Sequence, residues 1–380
     1  MAFWKTHGPD AQDGGFHGTL SREGRPIAPT DKGIIQQTRQ LWTFSVWYAR
    51  REPTAEVKAI ADGVYRFLVD HLRDPEDGEF FWKVSKTGQL RDRTKRLYAQ
   101  SFAIYALAQY AETFGSAEAR AYSLGCFNSI DRRTHDSTLM GYDQSQDPGF
   151  FSAGTQKETN THIHLLEAFT TLYRVTQDPL VKARLNELVE VTARKIVQPE
   201  GYARKEFRRD FTPLGEPVVS YGHDIETSWL LLDALDALGR TSDHALVDIA
   251  RRLGEYSARA GFDEQLGGYF EEGVPGGAPT KVEKIWWIQA EALSGLFRLY
   301  ELSHDPTQLM RLEKTMTFIE QHQRDREYGE WYWGVLPDGS VGPHGSNKGE
   351  EWKASYHDVR ALLFTGDWIG RALAKRGDAP

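Results

Sequence analysis

Apolar residues recur at i, i+3 and i+4 through eleven stretches of the chain, the spacing of one buried helix face. They are Ile34–Tyr48, Val57–Leu72, Leu97–Thr113, Ala117–Ile130, Thr161–Thr176, Leu180–Ile196, Ile225–Leu238, Ala245–Ala260, Ile285–Leu302, Thr307–Gln321 and His357–Lys375. Asp178-Pro179 and Asp305-Pro306 put proline in a first helical turn, and Ser242-Asp243 offers a cap. Between pairs of helices an acidic-Gly-aromatic signature recurs. It reads Asp13-Gly-Gly-Phe-His-Gly18, Asp77-Gly-Glu-Phe-Phe-Trp82, Asp147-Pro-Gly-Phe-Phe151, Glu200-Gly-Tyr-Ala203, Asp263 to Phe270, and Asp325 to Trp333. The six glycines stand at 15, 78, 149, 201, 268 and 329, with gaps of 52 to 71 residues. Glycine takes the φ > 0 turn position and the aromatic begins a short extended piece.

Two helices and one turn per repeat, six times over, predict a toroid of helical hairpins in which each hairpin buries its apolar face against its neighbours. The expected fold is all-α, an (α/α)6 barrel forming one domain over residues 1–380. One helix is missing from the count. It should precede Asp10, and Phe3-Trp4 reads as the tail of a truncated first helix. In such a ring the starts of the inner helices line one mouth.

Composition narrows the functional classes. Of 380 residues, 46 are Lys or Arg and 54 Asp or Glu, so the net charge is −8. That balance argues against nucleic acid, which needs a basic face. No apolar run approaches ~20 residues, so no membrane span is expected. The N-terminus lacks a signal-peptide stretch and Cys126 is the sole cysteine, which points to a cytoplasmic protein without disulfides. Aromatics reach 12%. Most must be core, but a few would suffice to floor a sugar site, since a sugar ring has apolar C–H faces.

Three histidine stretches carry candidate chemistry: Lys157 to Glu167, Ser220 to Trp229, and Glu351 to Arg360. Each follows a polar loop at a predicted helix start. A single histidine there is more often a cap or a satisfied core group; three of one pattern favour a shared site. At about 100° per residue, His164 shares a face with Glu167, His223 with Glu226 and His357 with Arg360. A neighbouring carboxylate fixes an imidazole's tautomer and raises its basicity. His162 and His164 lie about 200° apart and cannot both face a cavity, which weakens a His-x-His metal reading. No metal and no cofactor are expected. The phosphate loop, dinucleotide fingerprint and serine elbow are missing. Arg39 is either a surface charge or an anion contact at an inner-helix start. Glu291, inside an apolar helix, is either satisfied by a neighbour or part of the site. Of the adjacent Trp286 and Trp287, only one is expected to face the cavity.

These stretches resemble the N-acylglucosamine 2-epimerase superfamily, its cellobiose 2-epimerase branch most closely. The resemblance runs from Asp13 to about Leu363 and is strongest at Lys95–Leu107, Asn160–Ala168, Ser220–Leu231, Lys284–Ala292 and Trp352–Ala361. It implies the same helical barrel. It further implies that His223 and His357 are the proton-transfer pair and that His164 assists near the ring oxygen. Arg39, Tyr98, Asn160, Glu226, Trp286 and Trp352 match positions that contact sugar. Ala354-Ser355 stands where members usually carry Gly-Pro. The implied activity is epimerisation at C2 of the reducing-end sugar of β-1,4-disaccharides such as cellobiose, through ring opening and an enediolate. The alternative is a mannose 2-epimerase or mannose isomerase acting on free monosaccharides. A glycoside hydrolase, using Glu226 and Glu291, is a third reading. The expected partner is a small sugar alone, on a monomer or weak dimer.

Overall fold

The computed structural model describes residues 1–144 and 154–377. Among them, twelve α-helices follow one another. They are α1 (Ala2–His7), α2 (Ile34–Arg50), α3 (Ala55–Phe67), α4 (Leu97–Phe114), α5 (Ala117–Thr134) and α6 (Thr159–Thr176), then α7 (Pro179–Val191), α8 (Tyr221–Ala237), α9 (His244–Ala260), α10 (Trp286–Ser303), α11 (Pro306–Phe318) and α12 (Tyr356–Arg376). The last five residues after α3, α7 and α11 wind as π turns, which is why the apolar period runs past the α-helical segments there.

Contacts divide the helices into two sets. α2, α4, α6, α8, α10 and α12 each touch the next, and α12 touches α2, so this inner set closes into a ring. α3, α5, α7, α9 and α11 each pack on the inner helix before them. The sequence separates the two sets by burial. Every residue from Ile34 to Val46 of α2 is buried, whereas α9 buries one face only. Outer starts are capped by side chains: Thr54, Ser116, Asp178, Asp243 and Asp305 each accept a backbone N–H. The inner starts have no such cap.

α1 is six residues long, against 13 to 18 for the other outer helices. Its Trp4 indole reaches Glu330, after α11, and Lys5 pairs with Glu52 and Glu56 around the start of α3. It therefore bridges the last hairpin to the first.

The expected third Gly-aromatic turn, Asp147–Phe151, lies outside the described residues. Asp136 to Tyr142 occupies the third place instead. His135 bridges Tyr142, as Arg73 bridges Phe80 and Phe262 bridges Tyr269. With Gly141 in the series, the glycines at 15, 78, 141, 201, 268 and 329 are spaced 60 to 67 apart, and all six have φ between 64° and 94°. Five of the six turns are tied through their backbone to an inner helix. Gln37, Gln100 and Gln289 accept the backbone N–H of Phe16, Phe80 and Tyr269 and donate back to the same residues' carbonyls. His162 and Asp224 accept from Tyr142 and Ala203 at the equivalent turns. Buried lysines add a second tie: Lys32 to Asp10, Lys95 to Asp74, Lys157 to Asp136, Lys284 to Asp263 and Lys348 to Asp325.

Short antiparallel ladders join these loops: Lys32–Gly33 with Lys83–Val84, Gln156–Glu158 with Glu206–Arg208, Val219–Ser220 with Glu272–Gly273, and Lys284–Ile285 with Gly334–Val335. Each runs directly into an inner helix, so the ladders fix the inner-helix starts at one end of the ring. No helix among the described residues is long and apolar enough to cross a membrane.

Candidate active site

A cavity of about 230 Å³ opens at that end of the ring. It is lined by Arg39, Tyr98, Asn160, His164, His223, Glu226, Trp286, Trp287, Trp333, Trp352 and His357. Each of the six inner helices or the segment leading into it supplies at least one of these groups. Nine of the ten residues singled out from sequence are among them. The tenth, Glu291, is buried behind His357.

Each histidine has a fixed second partner. His357 Nδ1 lies 2.6 Å from Glu291 Oε1, and His164 Nδ1 lies 3.0 Å from Glu167 Oε2. A carboxylate accepts only, so both rings carry the proton on Nδ1 and leave Nε2 as the other ring nitrogen. His223 Nδ1 instead pairs with the Ser220 hydroxyl at 2.7 Å, a group that gives or takes a proton. Burial pushes all three imidazoles toward the neutral form. His223 falls to about 4, with Lys205 adding to the effect. His164 and His357 fall well below the ordinary 6.5, with Arg39 adding to burial in both cases. Neutral imidazoles are equipped to accept protons.

His162 is absent from the cavity. Its Nε2 accepts the Tyr142 N–H and its Nδ1 faces the Glu158 carbonyl at 2.7 Å, so it clamps a turn. Arg39 is no surface charge: it is buried, donates to the Trp352 carbonyl and to Tyr98 Oη at 3.0 Å, and lies over the Phe102 ring. Trp286 and Trp287 both face the cavity, contrary to the expectation for an adjacent pair. Neighbouring helix positions are about 100° apart rather than opposed, and indoles are wide enough to reach from both. Trp287 sits 4.7 Å from His223 and 5.8 Å from His357, and Trp286 lies 4.3 Å from Trp333.

Behind the histidines lies a charged cluster that sequence reasoning left incomplete. Arg360 donates to Glu167, Glu226, Glu291 and Tyr356. Burial raises the Glu226 carboxyl to about 8, and burial together with Glu226 lifts Glu291 above the usual range. The two cannot both ionise freely side by side; Glu291, whose two oxygens accept N–H donors from Arg360 and Trp229, keeps the charge, and Glu226, whose Oε2 meets no donor among the described residues, holds the proton. Both Glu226 and Glu291 sit against one guanidinium nitrogen at 2.7 Å. Glu226, Glu291 and His357 bring potential metal-ligand atoms within 4.8 Å of one another. Arg360 already bonds both carboxylates, so the cationic place in that cluster is taken. Glu226 Oε2, Asn160 Oδ1 and Trp286 Nε1 have no protein partner among the described residues, although all line the cavity.

A neighbouring cavity of about 310 Å³ shares Tyr98, Asn160 and Trp352 with the first, and continues to Trp82, Arg96, Gln144, Glu158 and Glu206. Trp352 is 40% exposed and its ring lies 5.7 Å from Trp82 and 6.1 Å from Tyr98, so it forms the shared rim. Ser355 donates to Gln40 Oε1 at 2.8 Å and holds the start of α12 against α2.

Sequence comparison matches residues 14–361 to N-acylglucosamine 2-epimerase (GlcNAc 2-epimerase). A cellobiose 2-epimerase of Bacteroides fragilis is 31% identical, the alignment covering 96% of this chain and 94% of that protein. A D-mannose isomerase of Marinomonas mediterranea is 22% identical, over 92% of this chain and 90% of the other. Among solved structures, a cellobiose 2-epimerase from Spirochaeta thermophila superposes with a TM-score of 0.91 at 33% identity, covering 98% of this chain and 94% of that one.

Proposed function

The chain belongs to the N-acylglucosamine 2-epimerase family, and on that footing we propose a sugar 2-epimerase that inverts C2 of the reducing-end unit of β-1,4-disaccharides such as cellobiose. We read its closed ring of hairpins as an (α/α)6 barrel, with α1 as a shortened twelfth member.

One observation carries the chemistry. His223 on α8 and His357 on α12 enter one cavity, both against Trp287, each with Nδ1 engaged by a partner. His164 assists opening of the pyranose, which places an aldehyde at C1 and acidifies the C2 proton. One histidine takes that proton and leaves a cis-enediolate. Rotation about C2–C3 presents the other face, and the second histidine returns a proton to C2. Arg39 and the neutral Glu226 carboxyl stabilise the enediolate oxygens. The substrate's own carbonyl activates the carbon, so the reaction needs neither metal nor cofactor. The two histidines differ in their support: the carboxylate of Glu291 stabilises an imidazolium at His357, and Ser220 gives His223 no such charge.

The second cavity favours a disaccharide, with the non-reducing unit beyond the rim formed by Trp352. A hydrolase reading fits poorly. Glu291 does not line the cavity, and Glu226 and Glu291 are bridged by one Arg360 nitrogen at 2.7 Å rather than set apart across the cavity as a hydrolytic pair requires. Incubation with cellobiose and separation of products tests the proposal. Glucosyl-mannose supports it; free glucose, or turnover confined to mannose, overturns it.

A further inference from the structure

We propose that Arg360 is a positioning residue that holds two of the three cavity histidines through one guanidinium, tying the ring-opening group to the proton-transfer group. This rests on the epimerase reading for its catalytic consequence, and on geometry alone for the coupling itself.

Arg360 is fully buried on α12 and does not line the cavity. One terminal nitrogen donates to Glu167 Oε1 and to Tyr356 Oη. The other donates to Glu226 Oε1 and Glu291 Oε1, both at 2.7 Å. Glu167 uses its second oxygen on His164, and Glu291 uses the same Oε1 on His357. An unbroken chain therefore runs His164–Glu167–Arg360–Glu291–His357, from α6 to α12. The Trp229 and Tyr356 rings lie 4.8 and 4.4 Å from the guanidinium carbon, and Trp229 donates to Glu291 Oε2 at 3.0 Å. The hub is thus wedged as well as bonded.

The residue type follows from the task. Three buried carboxyls converge on one point, and a buried charge needs a partner. A planar fork with several donors serves three acceptors at fixed angles. A lysine ammonium is a point charge on a flexible stem and cannot hold the same three. Because each imidazole is oriented by its carboxylate, and both carboxylates by the same guanidinium, loss of the fork releases both rings together. A side chain that only packed α12 would disturb His357, three residues before it on the same helix, and leave His164 on α6 alone.

The test uses the free protein labelled with ¹⁵N-histidine, the His164 and His357 signals being assigned with His164→Gln and His357→Gln. In Arg360→Lys both rings should lose the neutral Nδ1–H pattern of the wild type together. kcat on cellobiose should fall about 10²-fold, with KM within about threefold, as expected when reacting groups are misplaced and binding is not. An unchanged His164 pattern, or a near wild-type kcat, overturns the proposal. If Arg360→Lys does not fold, Glu167→Gln cuts one arm only. The clamp then requires the His357 signal to move as well, and an unmoved His357 overturns it. The imidazole readout needs no substrate. Coupled signals in a protein that does not epimerise cellobiose would retain the clamp and discard the epimerase reading.

Discussion

Glu291 Oε1 stands 2.6 Å from Nδ1 of His357, and nothing comparable supports His223, whose Nδ1 meets a serine hydroxyl. A carboxylate raises imidazole basicity in a way a hydroxyl does not. Glu291→Gln keeps the shape and removes the charge, so kcat should drop about 10²–10⁴-fold, the scale seen when an orienting acid becomes an amide. Ser220→Ala should cost far less. Steady-state kinetics on both variants checks the order; equal losses would contradict the asymmetry.

His162 and His164 stand two residues apart and should fail in different ways. His162 satisfies the buried Tyr142 N–H, so His162→Ala leaves that donor unpaired and should cost about 1–3 kcal/mol of stability. Its kcat should stay near wild type. His164→Ala should keep its melting temperature and lose turnover. Thermal melts beside kinetics separate the two.

The buried groups predict opposite stability trends with pH. His162 and His223 titrate near 4 in the fold, against an ordinary 6.5. The unfolded chain then binds more protons between those values, so stability declines as pH falls from 6.5 toward 4. Glu226 titrates at about 8, against an ordinary 4.5. There the folded state binds more protons, so this group's contribution declines as pH rises from 4.5 to 8. Glu226→Gln should therefore raise the melting temperature relative to wild type more at pH 8 than at pH 5. An offset that does not vary with pH would refute the assignment.

Trp352 forms the rim between the two cavities. Stacking a second sugar unit there contributes to ground and transition states alike and should register in KM. Trp352→Ala should raise KM for cellobiose well above any change for mannose. Equal effects on the two sugars would place the second unit elsewhere.

Much of this was legible in the chain because repeats impose period. The eleven helical stretches all correspond to helices, and the histidine motifs fall at inner-helix starts. Where reading faltered, local signals competed. Asp147-Pro-Gly-Phe-Phe151 is a stronger turn signature than Asp136 to Tyr142, so the third repeat was placed late. α8 begins at Tyr221, ahead of the apolar period at Ile225, because its first turn, Tyr221 to Asp224, carries no aliphatic residue. Arg360 was seen only as the neighbour of His357. The register that reveals it is the turn clamp. Two residues beyond Gln37, Gln100, His162, Asp224 and Gln289 stand Arg39, Phe102, His164, Glu226 and Glu291, and Arg360 follows by the same step Asp358, which bonds the Glu330 side chain of the sixth turn. That alignment is hard to see without coordinates, because glutamine, histidine and aspartate share only the ability to bond a turn's backbone.

The central claim is that His223 and His357 move a proton on and off C2 from opposite faces. Turnover of cellobiose in D₂O, followed by NMR at C2 for the wild type, His223→Ala and His357→Ala, tests it directly. The wild type should form glucosyl-mannose with deuterium at C2. Each variant should lose epimer formation by about 10²–10⁴-fold or more, and retain C2 exchange on one epimer at most. Epimer formed without deuterium, or either variant keeping most of its kcat, would contradict the account.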